Sequence, residues 1–244
     1  MDLTKLAHSN REDVSASGFS FAFQPIVDTH AQAVFSHEAL VRGLNNEPAS
    51  QVINRRSGSQ KQVFDAACRI KAIEVAARIG MHTHLNLNLF RSTAVNAAVG
   101  LKSTIEAADR WLFPLERIVV ELAIDDYASL EKVLGGASRD GMKFAIDDFG
   151  AGYSGLILLS KLKPDIVKLN MDLVRGINFH SPRQAIARAV VQICGDLGID
   201  VVAEGVETVD EFSWFTDLGV HLYQGYLFAK PMFEAMPFYS AVPN

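Results

Sequence analysis

The sequence predicts an α/β fold, a TIM-type (β/α)8 barrel, on three observations. Short runs of Val, Ile, Leu and Phe recur from end to end, as strands buried on both faces require. The runs close on polar residues: Glu38, Asn88, Glu121, the pair Asp147-Asp148, Lys168, Glu204 and Gln224. Segments of helical periodicity separate them, the alternation expected when strand ends converge on one mouth. The length of 244 residues fits one barrel of ordinary size.

Residues 1–17 are polar and aperiodic and read as a flexible tail ahead of a single domain, residues 18–244. FSFAFQPIVD is the first strand, and VFSHEALVRG the second, carrying the first acid. NNEPASQVINRRSGSQ, rich in Asn, Ser and Gly and holding Arg55 and Arg56, reads as a mobile loop. A long helix runs through QVFDAACRIKAIEVAARIG, with Phe64, Ala67, Ile70 and Val75 near one face and Gly80 as its stop. In HLNLNLF, alternation puts Asn86 and Asn88 on one side and the leucines on the other.

VVE then closes at Glu121, FAIDD at Asp147-Asp148 and DIVK at Lys168. Ser181-Pro182 reads as an N-cap with proline in the first turn, and Ile186, Val190, Ile193 and Leu197 recur at helical spacing up to Gly198. That helix delivers the chain to VVAEG, and VHLYQGYLFAKPM reads as a strand, a glycine turn and a proline stop. No internal repeat or linker interrupts the chain.

With 49% hydrophobic and 21% charged residues the composition is globular, and the net charge of −5 gives no attraction to extended nucleic acid or an anionic membrane. The first residues hold no apolar core of signal-peptide length, so the cytoplasm is the expected compartment. Cys68 and Cys194 sit in apolar helical patterns and read as reduced, buried thiols, with Trp111 and Trp214 as packing residues. His82 and His84 form an H-x-H of the kind some metal-dependent amidohydrolases use, but the other five histidines do not fall at later strand ends, which sets that reading aside.

Several carboxylates at one mouth repel, and a divalent cation is their natural compensation. The donors are mostly hard oxygens, which suit Mg2+ or Mn2+, and the lack of a His or Cys cluster disfavours zinc. Asp147-Asp148 is the least ambiguous pair, because adjacent acids closing FAI and entering a glycine-rich loop are a costly way to build a core.

Glu38-Ala39-Leu40 with Arg42, Asp147 to Ser154 (DDFGAGYS), Lys168, Glu204-Gly205-Val206-Glu207 and Gln224-Gly225-Tyr226 resemble the EAL domain family of bacterial cyclic di-GMP phosphodiesterases, from about Phe19 to about Tyr239. The resemblance implies a TIM-type barrel with an antiparallel first strand, two Mg2+ or Mn2+ ions, hydrolysis of cyclic di-GMP to linear pGpG, and a homodimer. By resemblance, Glu38, Asn88, Glu121 and Asp147 hold the first metal, and Asp147 bridges to the second, completed by Asp148. Asn88 is preferred to Asn86 by alignment with the family's asparagine. Lys168 is a point charge beside the water or phosphate, and Glu204 assists the water or the second metal. Glu207 supports the site, Gln224 donates a hydrogen bond, and Gln24, Leu40 and Arg42 face the substrate. Phe149, Gly150, Tyr153 and Ser154 belong to the loop that shapes the second metal position and the dimer contact.

Three positions depart from the family pattern. After Glu121 the chain reads Leu122-Ala123-Ile124 where the family usually has a Thr and a second Glu, and Asn170 stands where many members carry an acid. These changes are expected to slow catalysis or weaken the second metal without abolishing ligand binding. The alternative to a working phosphodiesterase is therefore a cyclic di-GMP receptor or a regulator acting on a protein partner.

Overall fold

Alternation along each strand sends one set of side chains into a lumen and the other outward against helices. Eight strands use it to close a ring: β1 (Phe19–Asp28), β2 (Ala33–Gly43), β3 (His84–Leu89), β4 (Ile118–Ala123), β5 (Lys143–Phe149), β6 (Ile166–Leu169), β7 (Asp200–Glu204) and β8 (Leu222–Gln224). The computed structural model describes residues 18–54, 59–89, 97–123, 141–150 and 155–239. The expected tail, residues 1–17, lies outside the described residues, as do Ile124, Tyr153 and Ser154.

Strands β2 to β8 pair in parallel in sequence order, and β1 pairs antiparallel with both β2 and β8 to complete the ring. The outer layer contains α1 (Ala49–Ile53), α2 (Ser59–Arg78), α3 (Ala97–Trp111), α4 (Gly155–Leu162), α5 (Met171–Val174), α6 (Ser181–Leu197) and α7 (Val209–Asp217). The TIM-type barrel with an antiparallel first strand is thus as expected.

Two apolar assemblies hold this frame. Outward residues of the strands, such as Phe21, Leu85, Leu87, Val120, Ile146 and Val167, pack with Phe64, Ala72, Ile73 and Val75 of α2 and the other helices. Inside, Ile26, Val119, Ala145, Ile166, Val202 and Leu222 form a dry layer from six strands. Burying a side chain of this size contributes about 1.5–3 kcal/mol, and the lumen layer also provides the apolar base beneath the polar end of the barrel.

Several local expectations change in the folded chain. Within the segment expected as a loop, Ala49–Ile53 forms helix α1 and buries Val52. Helix α6 starts one residue earlier than read from sequence: His180 rather than Ser181 is the N-cap, Ser181 lies inside the helix, and Gly198 ends it in the left-handed region at φ 69°. The buried stripe of α6 is Ala187, Val190 and Cys194, while Ile186 and Leu197 are exposed. Val190 is buried and Ile193 packs against the core as the spacing predicts, so the stripe holds at its centre while its outer members Ile186 and Leu197 stay exposed. Pro231 does not stop the chain: Met232–Phe233 forms β9, paired antiparallel with Phe23 and Ala22 of β1. Trp111 is 39% exposed at the end of α3 and is not a core residue. Cys68 and Cys194 are buried and not disulfide-bonded, as expected.

Candidate active site at the barrel mouth

Two residues beyond each member of the dry layer, towards the C-terminal strand ends, the lumen turns polar. Val119 is followed by Glu121, Ala145 by Asp147, Ile166 by Lys168, Val202 by Glu204 and Leu222 by Gln224. Because β1 runs the other way, its polar residue Gln24 comes two positions before Ile26 and pairs with Glu38 of β2. Asn86 and Asn88 of β3 complete the ring, Asn86 level with Glu38 and Asn88 level with Glu121. Residues spread over some 200 positions thereby share one face, as a period of two along every strand dictates.

Lys168 is the centre of this layer. Its side chain is 1% exposed, and Nζ lies 2.7 Å from Glu121, 2.7 Å from Glu204, 3.3 Å from Glu38 and 3.5 Å from Asp147. One ammonium therefore serves four carboxylates. Burial works against its charge, but Asp147, Glu121, Glu204 and Glu38 outweigh it and hold the Lys168 pKa well above the usual lysine range. Burial pushes Glu121 well above and Asp147 above the usual carboxylate range, only partly offset by Lys168. The same burial carries Glu204 up to about 8. For Glu38, burial is opposed by Lys168 and by hydrogen bonds from Gln224 and Asn88, and the net shift is downward.

The neutral side chains brace the acids. Gln224 Nε2 donates to Glu38 at 2.7 Å and to Gln24 Oε1 at 3.4 Å, and Gln24 Nε2 donates to the Ala229 carbonyl at 3.2 Å. Asn88 Nδ2 donates to Glu38 at 3.1 Å, and Asn86 Nδ2 donates to Glu121 at 2.8 Å. Asn86, set aside in the sequence reading, is thus part of the same network; the alternation that placed it beside Asn88 was its signal. Leu40 follows Glu38 on the same face, lining with it and Asn88 a cavity of about 280 Å³. Arg42 turns its Nη1 onto the Val41 carbonyl at 2.8 Å.

A regular strand would send Asp147 and Asp148 to opposite faces. Here the pairing of β5 with β6 slips between Ile146 and Phe149, and Asp148 adopts φ 55°. Such a bulge re-aims a side chain, and an oxygen from each of Asp147, Asp148 and Glu204 comes within 4.8 Å of the others. Phe149 is buried at the strand end and Gly150 follows at φ 104°. Asn170, at the end of β6, donates from Nδ2 to Asp148 at 2.7 Å.

Across the mouth, Val206 N donates to the Gln224 carbonyl and Leu227 N to the Val206 carbonyl, both at 3.1 Å. A Cβ on Gly225 would lie 2.0 Å from the Val206 oxygen, so only glycine lets these two turns meet. Glu207 does not join the cluster: it is exposed and pairs with Arg175 at 2.5 Å. The turn before α7 is organised by Glu211, which accepts from the Gly176, Glu207 and Thr208 amides and forms a capping box with Thr208. That T-x-x-E signature is legible in the sequence itself. His84 lies two residues before Asn86, against the Phe35 ring and carbonyl, away from the acids.

The donor set suits a hard divalent cation. Buried oxygens of Glu121 (Oε2), Asn86 (Oδ1) and Gln224 (Oε1) meet no hydrogen-bond donor, and acceptors left so are costly unless a cation or another group satisfies them. The four acids around a single ammonium leave a deficit of positive charge, which a divalent ion offsets.

The comparisons with known proteins agree with this geometry. A standalone EAL protein from Vibrio cholerae O395, solved with c-di-GMP bound, superposes with a TM-score of 0.85 at 42% identity, covering 91% of this chain and 95% of that one. A manganese and cyclic di-GMP complex of Klebsiella pneumoniae BlrP1 gives a TM-score of 0.84 at 33% identity, covering 90% of this chain and 57% of that one. The blue light- and temperature-regulated antirepressor BluF of Escherichia coli K12 is 31% identical over 225 residues, 89% of this chain and 55% of BluF. Curated relatives also include the cyclic di-GMP phosphodiesterase PA2567 of Pseudomonas aeruginosa, 29% identical over 226 residues. The chain spans about half the length, or less, of these curated relatives. The EAL domain model matches residues 7–231, nearly the whole sequence, and the chain belongs to the EAL domain family.

Proposed function

We propose that this chain is a phosphodiesterase that hydrolyses cyclic di-GMP to linear pGpG with two divalent cations, Mg2+ or Mn2+. The observation that carries the reading is the cluster of Glu38, Glu121, Asp147 and Glu204 around Lys168, with Asp148 brought beside Asp147 and Glu204 by the bulge. The metal-bound and cyclic di-GMP-bound relatives support it. Bound there, two cations would neutralise the phosphodiester oxygens and make hydroxide available near neutral pH.

The chain's own residues then have separable tasks. Glu38, Asn88, Glu121 and Asp147 would hold one cation, and Asp147 and Asp148 would supply oxygens to the other. Lys168 sets a fixed positive charge beside the reacting phosphate, a form of electrostatic stabilisation that needs no reorganisation. Glu204, with a pKa near 8 before cations bind, accepts or returns a proton at the attacking water. Gln224 and Gln24 fix the Glu38 carboxylate, Leu40 and Arg42 line the side from which the nucleotide enters, and Glu207 supports the turn after Glu204. The loop from Phe149 through Gly150, Tyr153 and Ser154 contributes to a homodimer contact, and the exposed Leu156 just beyond it is consistent with such a surface. A cytoplasmic setting accords with the two reduced thiols; among the described residues, no helix is long and apolar enough to cross a membrane.

The test is direct. Purified protein with Mn2+ or Mg2+ should convert cyclic di-GMP to pGpG on chromatography, and Glu38→Ala should stop it. The similarity to an antirepressor favours a second reading, a receptor or a regulator of a protein partner. Tight binding of cyclic di-GMP with no product under either metal would establish that reading and defeat the first.

A further inference from the structure

Asp148 is placed by a bulge that leaves it without a ladder partner, since the pairing of β5 to β6 passes from Ile146–Val167 directly to Phe149–Leu169. Its backbone lies in the left-handed region at φ 55°, where a non-glycine residue is uncommon and persists only when its surroundings over-determine it. What fixes the side chain comes from residue 170. The Asn170 amide N–H donates to the Phe149 carbonyl at 3.1 Å, and its side-chain Oδ1 accepts from the Asp172 amide at 2.7 Å, capping α5. The opposite end, Nδ2, donates to Asp148 Oδ1 at 2.7 Å.

The orientation of this amide follows from chemistry. The Asp172 N–H can only donate and an ionised Asp148 can only accept, so the Asn170 oxygen must face the helix and its nitrogen must face the carboxylate. An aspartate at 170 would keep the cap but could not donate to Asp148. A serine would keep the cap but is too short to reach it.

We propose that Asn170 is a positioning residue of this chain: one end of its amide is locked by the α5 cap, and the other holds the Asp148 carboxylate towards Asp147 and Glu204 so that the three can share a cation. The sequence departure at 170 is then not a missing ligand but an added brace. The inference rests on the cation-binding reading of the site.

Mn2+ binding to the full chain, measured by the electron paramagnetic resonance of free Mn2+ and by calorimetry, tests it together with thermal unfolding in EDTA. Serine and asparagine are comparable N-caps, so Asn170→Ser should keep the parent's Tm while weakening Mn2+ binding by about tenfold or more, the usual cost of losing a group that orients a ligand. Asn170→Ala should lose both Tm and affinity. If the parent binds Mn2+ and Asn170→Ser binds it equally well, the positioning role is overturned while the site reading stands. If Asn170→Ala loses Tm but binds Mn2+ as tightly as the parent, Asn170 is a cap and nothing more, and the role is overturned as well. A parent that binds no Mn2+ defeats both this inference and the reading beneath it.

Discussion

Replacing Lys168 by methionine keeps an unbranched side chain of similar length and removes the one ammonium at the centre of the mouth. Four carboxylates lie 2.7 to 3.5 Å from Nζ, and the lysine is 1% exposed. Removing one partner of a buried ion pair costs about 3–5 kcal/mol, because the remaining charge is left uncompensated. The acids relieve part of this by taking up protons, so the loss should be largest at alkaline pH. For a chain of this size each kcal/mol moves Tm by about 2–4 °C. Lys168→Met in EDTA at pH 8 should therefore melt roughly 6–20 °C below the parent. Mn2+ at 100 times its Kd should return about 2.7 kcal/mol, since the cation supplies the charge that the ammonium did. Calorimetry with and without Mn2+ reads both effects. A Tm in EDTA within about 2 °C of the parent, or a deficit that Mn2+ leaves untouched, would show that Lys168 does not compensate the acids.

Two further outcomes follow from the same geometry. Glu204 is raised from 4.5 to about 8, so its contribution to stability is fully present below pH 4.5 and is lost as the pH climbs through 8; Glu121 and Asp147 shift the same way. Glu38 shifts oppositely, and its contribution is lost only as the pH falls below its ordinary value. In EDTA the parent's stability, read from Tm, should fall between pH 6 and pH 8.5, by about 2.5 kcal/mol from Glu204, and saturating Mn2+ should flatten that slope; a Tm that rises with pH in EDTA would contradict it. Gly225→Ala places a Cβ 2.0 Å from the Val206 oxygen, forcing apart the turns that carry Glu204 and Gln224. A misplacement of about 1 Å costs on the order of 100-fold in rate, so cyclic di-GMP turnover should fall about that far, and unchanged turnover would show that the contact yields without moving the site.

Much of the site was legible in advance because it depends on period alone. A polar residue closing an apolar run sits at a strand end, and a period of two puts Glu121 on the face of Val119 and Lys168 on the face of Ile166. Where expectation slipped, the cause was context. Ile186 and Leu197 keep helical spacing with buried Val190 and Cys194 yet stay exposed, since period does not say how much of a stripe its neighbours cover. Trp111 is apolar but is the last residue of its helix and stays 39% exposed.

By itself, then, the sequence determined the barrel, the order of its strands and the chemical type of the mouth, because these follow from local periodicity and from what a buried carboxylate requires. Only the tertiary structure decided that one lysine would face four acids, that Asp148 would turn to the same side as Asp147, and that Asn170 would reach it. Those facts depend on strand register, a bulge and a left-handed backbone angle. They are set by how distant segments pack, and no local pattern encodes the distance between them.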